Sequence, residues 1–333
     1  MNRKSPAPST CRVADLRRGD KISGAVFLVE AANFKQTRNQ KYFIQMRLRD
    51  SSAAVKAIRW EATQQLYSSF GVGDFLRIDG RVEEFQGQLQ VIIDQIEPVS
   101  ADEVEISGYL PTAERDPEEM ERELLHAVEE VEDPSLRQLL AAVLEDPRVR
   151  SGLLRCPAGK ALHHAYVGGL LEHIVSLLEV TRFLAKHYQQ LDRDLLYAAC
   201  ILHDIGKVEE LTYTSSFQYT DRGQLIGHIG LGMLLIEEKA REIPELPEET
   251  LLHVQHIIAS HHGLPEHGAL KLPMTAEAIM FHLIDNLDAK LATLKAIDSE
   301  LGPEEAGRDS SAGKWSEFKP YLNRKIFFPP KKD

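Results

Sequence analysis

Residues 195–211 read LLYAACILHDIGKVEEL. Leu195–Leu202 is an unbroken apolar run, the pattern of a helix buried on every side. It delivers His203 and Asp204 together, followed by Ile205, Gly206 and Lys207. A carboxylate with apolar flanks needs a reason, because burying one without a partner costs several kcal/mol. Working outward, His173 lies inside GGLLEHIVSLLEV (168–180), with Gly169, Leu170 and Leu177 at the helical neighbours i−4, i−3 and i+4, and so faces the interior. His228 opens the next expected helix, His261 and His262 close another, and Asp285 sits in IMFHLIDNLDAK (279–290). Each has a plain explanation alone: a packed core histidine, a helix-end acceptor, or a helix C-terminus that favours cations. Together, imidazoles and carboxylates in apolar helical surroundings point to divalent metal. They suit Mn, Fe, Co, Ni or Zn, and the absence of thiolates disfavours a purely structural zinc site.

The rest of the second half also reads as helices, expected over 117–131, 134–145, 162–188, 192–203, 228–241, 247–260, 275–297 and 314–322, with Pro147, Gly206, Pro244, Pro265 and Pro273 in the links. Gly168 and Gly169 inside the third of these would each cost about 1 kcal/mol relative to Ala, which implies a close helix–helix approach beside the histidines. The first hundred residues read differently. Strand patterns occupy 21–33, 41–49, 53–60, 74–85 and 88–96, with a short helix over 61–70 and a tight turn at Gln86–Gly87. In the second strand Tyr42, Ile44, Met46 and Leu48 share one face. Five strands with a helix between the third and fourth is the order of an OB-fold barrel. The expected organisation is multidomain: a flexible tail (1–10), an all-β OB-fold barrel (11–100), an acidic linker (101–116), an all-α domain (117–322) and a C-terminal tail (323–333).

Composition narrows the classes. The 333 residues carry 39 Lys+Arg against 51 Asp+Glu, a net charge of −12, with 43% hydrophobic and 27% charged residues. That is a globular balance rather than a disordered one. No apolar stretch is long enough to span a membrane, and the N-terminus has no apolar signal core. Cys11, Cys156 and Cys200 are too few and too scattered for a disulfide framework, so a reducing cytosol is the expected home. The acidic sum argues against nucleic acid until it is divided: residues 1–100 are net +4 and the remainder −16.

The ordered set H…HD…D resembles the HD-domain metal-dependent phosphohydrolases, an all-α superfamily. HHAYVGGLLEH (163–173), LHDIGKVEEL (202–211), YTDRGQLIGHIGLG (219–232), SHHGLPEHG (260–268) and EAIMFHLIDNLDAK (277–290) narrow the resemblance to the YhaM-type 3′-5′ exoribonucleases, which also place an OB-fold ahead of the HD domain. The resemblance implies two divalent ions, manganese foremost, with His173, His203, Asp204 and Asp285 holding one and Asp204, His228, His261 and His262 the other. Asp204 would bridge them, and Lys207 would neutralise a phosphate oxygen. It implies release of nucleoside 5′-monophosphates from single-stranded RNA, with single-stranded DNA and self-association left open. His163 and His164 are candidates for the substrate phosphate or the leaving oxygen, and equally for packing. Asp288, one turn past Asp285, is read as an acceptor behind a ligand rather than as a ligand. His253, His256, His267 and His282 are read as structural or solvent-facing.

OB barrels bind single strands by stacking bases beside a cationic groove. Phe43, Arg47 and Arg49 on one strand face, with Lys35, Arg38 and Lys41 around the loop before it, are the candidates here; the plain alternative is a solvated face. Two other functions compete: an HD nucleotidase or cyclic-nucleotide phosphodiesterase, which gives an OB domain no role, and a single-strand-binding regulator with a degenerate HD scaffold, which the full ligand set disfavours. HHGLPEHG lacks the GYP expected after the histidine pair in the cyclic-di-GMP branch.

Overall fold

The structure is a computed structural model and describes residues 11–37, 39–105, 108–159, 164, 166–213, 217–301 and 313–330. Strands β1 (Lys21–Gln36), β2 (Tyr42–Arg49), β3 (Ala54–Trp60), β4 (Phe75–Phe85) and β5 (Gln88–Val99) form a closed barrel in the order β1-β2-β3-β5-β4. Helix α1 (Gln64–Tyr67) lies between β3 and β4. All neighbours are antiparallel except β3 and β5, where Lys56 faces Gln90 and Ile58 faces Ile92. The period of two puts Ile44, Met46 and Leu48 inside with Phe27, Leu76, Ile78 and Val91. Tyr42, at the strand start, is exposed and stacks on Phe34. The β4–β5 hairpin turns through Gln86 (φ 52°) and Gly87 (φ 75°), the pair of positive φ angles that a two-residue hairpin needs.

The second half is helical: α2 (Pro117–Glu129), α3 (Pro134–Glu145), α4 (Pro147–Leu153), α5 (Gly169–His187), α6 (Arg193–Leu202), α7 (Lys207–Glu210), α8 (Asp221–Ala240), α9 (Glu248–Ser260) and α10 (Ala276–Glu300). Asp116, Asp133, Asp146 and Asp192 cap α2, α3, α4 and α6, each accepting from a backbone N–H two residues on. One hydrophobic core runs from Met120 on α2 to Ile284 on α10, with all eight residues of Leu195–Leu202 buried in it. No helix among the described residues is long and apolar enough to cross a membrane.

Three expectations change. Pro147 does not link helices; it begins α4, because Asp146 caps the first turn and proline's missing N–H costs nothing there. The helix expected from 162 begins at Gly169, after Gly168 at φ 80°. A Cβ at Gly169 would lie 2.0 Å from the His164 carbonyl oxygen, so the close approach is by a loop rather than a second helix. The helix expected over 314–322 is a two-stranded ribbon, β6 (Lys314–Trp315) with β7 (Phe327–Phe328), plus a 3-10 turn at Pro320–Leu322. Pro320 disfavours a helical residue before it. The acidic connector packs against the barrel: Leu110 is buried with Leu28 and Phe75, and Val167 and Phe217 lie against the same cluster.

Asp146 does more than cap. It accepts both Nε (2.8 Å) and Nη2 (2.8 Å) of Arg148, and Lys239 Nζ, from the end of α8, lies 2.9 Å away. The Arg148 bond, aided by Lys239, holds its carboxyl far below the usual carboxylate range against the opposing effect of burial. Asp146→Ala should cost about 2 kcal/mol, from a lost cap and a broken ion pair whose carboxylate is buried and whose guanidinium is half-exposed. Because the folded pKa is depressed, that stability is present above the unfolded value near 4 and fades as pH falls below it. Urea melts of both proteins should differ most at pH 7, and the gap should narrow progressively as pH falls below about 4.

Candidate metal centre

The site gathers where helices end. His203 is the C-cap of α6 and His261 the C-cap of α9, while His173 comes from the first turns of α5 and Asp285 from α10. His228 follows a kink in α8 at Gly227 (φ 76°), which restarts the helix beside the 203–206 turn. Gly206 makes this contact possible: a Cβ there would meet the His228 carbonyl oxygen at 2.1 Å.

Two groups of donors result. His173 Nε2 lies 3.3 Å from His203 Nε2 and 3.1 Å from Asp285 Oδ1, and His203 Nε2 is 3.3 Å from Asp204 Oδ2. On the other side, Asp204 Oδ1 is 3.4 Å from His228 Nε2 and 3.8 Å from His261 Nε2, with the His262 ring centroid 4.1 Å from that of His261. Asp204 stands between the groups and presents one oxygen to each.

The opposite ring nitrogens fix the tautomers. Nδ1 of His203 faces the carbonyls of Ala199 and Cys200, Nδ1 of His261 faces that of Ile258 (2.7 Å), Nδ1 of His228 faces Glu210 Oε1 (3.1 Å), and Nδ1 of His173 faces Asp288 Oδ2 (2.7 Å). A carbonyl or carboxylate oxygen only accepts, so each of these Nδ1 atoms carries a proton and each Nε2 points inward. His173 Nε2 also faces Asp285: against burial, which lowers it, Asp285 and Asp288 raise this imidazole to about 9, so a cation bound there would displace a proton from Nε2. Burial, with His203 and His262 adding repulsion, pushes His261 well down, and burial beside His228 pushes His262 to about 4. Both are neutral donors at pH 7. Burial alone would raise the Asp204 carboxyl; Lys207 and His203 outweigh it and keep it ionised.

Among the described residues, five buried side-chain polar atoms have no hydrogen-bond partner. Four of them are Asp204 Oδ1, His228 Nε2, His261 Nε2 and His262 Nδ1. Buried polar groups are almost always satisfied, and four orphans converging on one point fit divalent-metal coordination. His173, His203 and Asp204 form a second compact ligand group.

The comparisons agree. The HD-domain profile matches residues 170–290, and an OB-fold nucleic acid binding domain profile matches 21–99. The chain is 34% identical over 279 residues to the 3′-5′ exoribonuclease YhaM of Bacillus subtilis, covering 84% of this chain and 88% of that protein. It is 33% identical over 315 residues to YhaM of Shouchella clausii, covering 94% and 95%. The chain belongs to the YhaM family. Among solved structures, the OB domain of Ta0387 from Thermoplasma acidophilum aligns at 20% identity with a TM-score of 0.23, covering 27% of this chain and 86% of that one.

In this YhaM-family chain the described helical site residues read from sequence come together, with two qualifications. Lys207 is buried, and its ammonium reaches Asp204 Oδ2 and the Ala158 carbonyl, both at 2.5 Å, so its charge is directed at the carboxylate between the two donor groups. His164 engages both ring nitrogens internally, with Asp288 at 3.0 Å and Tyr166 at 2.7 Å. His163 and Arg38 lie outside the described residues. On the barrel, most of the cationic candidates are committed to neighbours: Lys41 to Glu61 (2.6 Å), Arg47 and Arg49 to Glu30, and Lys35 to Gln45. Phe43 packs against the exposed Trp60, ring centroids 5.1 Å apart.

Sequence reading missed Glu210, which accepts from both the backbone N–H and Nδ1 of His228. With Lys207 and Glu209 beside it in sequence, nothing local singles it out. It also missed the chain from Glu172 through the Tyr166 hydroxyl to His164, and Ser176, which donates to Asp288 (2.5 Å).

Proposed function

We propose that this chain is a metal-dependent 3′-5′ exoribonuclease that removes nucleoside 5′-monophosphates from single-stranded RNA. The observation that carries the reading is the convergence of four orphaned, buried donor atoms on one point, in a chain whose relatives are exoribonucleases. His173, His203, Asp204 and Asp285 would hold one divalent ion, and Asp204, His228, His261 and His262 a second, with manganese the first candidate. Such ions supply Lewis acidity at the phosphate and a water acidic enough to ionise near neutral pH.

The chain's own residues prepare that chemistry. Asp288, Glu210 and the helix-end carbonyls lock the imidazoles in the ligating tautomer. Lys207 holds Asp204 in place and keeps it charged. Water attacks the last phosphorus, the bond to the upstream 3′ oxygen breaks, and that oxygen takes a proton as the terminal 5′-monophosphate departs. No serine or cysteine nucleophile takes part; Cys156 and Cys200 are buried, and burial raises both thiols. The cytosol, with its RNA and its reducing potential, is the compartment this reading implies.

Chelation should abolish release from 3′-labelled RNA, and added manganese should restore it with 5′-monophosphates as the product. Matched RNA and DNA strands set the sugar preference. Full release after exhaustive chelation, or 3′-phosphate products, defeats the proposal.

A further inference from the structure

The barrel carries a cleft of about 240 Å³, large enough for one nucleobase, lined by Gln45, Lys56, Ile58, Phe85, Gln88 and Gln90. It crosses β2, β3 and β5 and ends at the β4–β5 hairpin, where Phe85 is 59% exposed. An aromatic ring at a hairpin tip contributes nothing to the core, but offers a π face to a base.

The glutamines beside it are oriented by lysines. Lys35 Nζ lies 2.7 Å from Gln45 Oε1, and Lys56 Nζ lies 2.6 Å from Gln88 Oε1. An ammonium can only donate, so the amide oxygen of each glutamine must face its lysine. The NH2 group is then the end of each amide free to meet a ligand. Two donors suit a base edge that presents acceptors: O6 and N7 of guanine, or O4 of uracil. Adenine and cytosine place an amino donor at the equivalent position.

We propose that this cleft reads nucleobases in single-stranded RNA, stacking one base on Phe85 and selecting keto bases over amino bases through the amide N–H groups of Gln45 and Gln88. The choice of RNA rests on the exoribonuclease reading; the keto preference rests on the cleft alone.

Full-length protein in chelator, which prevents hydrolysis, is titrated into 5′-labelled U12 and C12 and followed by fluorescence anisotropy. The two oligomers differ at each base mainly in a keto oxygen against an amino group at position 4. U12 should bind about tenfold more tightly. Phe85→Ala should weaken both oligomers by a similar factor of about ten, leaving their ratio unchanged. Gln88→Glu replaces a donor with an acceptor and should shift the ratio towards C12, whatever the added charge does to overall affinity. Equal binding of U12 and C12 by the unaltered protein, or wild-type binding by a folded Phe85→Ala variant, overturns the proposal. Hydrolysis of the same oligomers with manganese is scored separately. Release without a U preference in binding overturns the cleft assignment alone; a U preference without release upholds it and overturns the exoribonuclease reading.

Discussion

Asp204→Ala should abolish nucleotide release, lowering it by about a thousandfold or more, the scale on which a preorganised electrostatic contact is lost. The reason is geometric. Asp204 gives Oδ2 to the His203 side and Oδ1 to the side of His228 and His261, so one substitution removes a ligand from both donor groups. It also leaves the buried Lys207 ammonium without its counter-ion, which should destabilise the fold by about 3–5 kcal/mol. A loss of activity alone would therefore be ambiguous. The double variant Asp204→Asn, Lys207→Met removes both charges together and should regain most of the stability while staying inactive. A stable double variant that released nucleotides at the wild-type rate would sink the role given to Asp204, whereas restored stability without activity separates chemistry from folding.

Asp288→Ala should lower manganese affinity by about 10–100-fold, the usual cost of losing the group behind a ligating histidine. Asp288 accepts from His173 Nδ1, His164 Nε2 and Ser176 Oγ, and so joins α10, α5 and the loop before α5 at one carboxylate. Without it, His173 loses the partner that fixes its tautomer and ring direction. Asp288→Asn keeps an oxygen acceptor and should fall between the two. Calorimetric titration with manganese reads the affinity directly. Excess manganese should repair the activity of Asp288→Ala and should not repair that of Asp204→Ala. Wild-type affinity in Asp288→Ala would remove Asp288 from the centre's support.

The legible part of the site is the part whose cost is written locally. His203–Asp204 after eight apolar residues, His173 on a buried face, and Asp285 inside an apolar helix each place a polar group where water is excluded. The supporting groups were less visible. Glu210, Tyr166 and Glu172 are ordinary polar residues in sequence, and only their distances to His228 and His164 give them a role. Lys207 followed from HDIGK, but its direction towards Asp204 did not, since a lysine reaches outward or inward with equal ease until its neighbours are placed.

The barrel divides in the same way. Its strands and their inward faces follow from period-two patterning, and its hairpin from Gln86–Gly87. The state of its charged surface did not. Arg47, Arg49 and Lys41 read as a cationic groove until Glu30 and Glu61, distant in sequence, are seen beside them. Hydrophobic periodicity and helix caps are local properties, so the chain alone determined the barrel strands and most of the helices with the faces they bury, but not the 314–328 ribbon. Ion pairing, tautomer choice and the direction of a long side chain depend on groups brought together across the fold, and only the tertiary structure decided them.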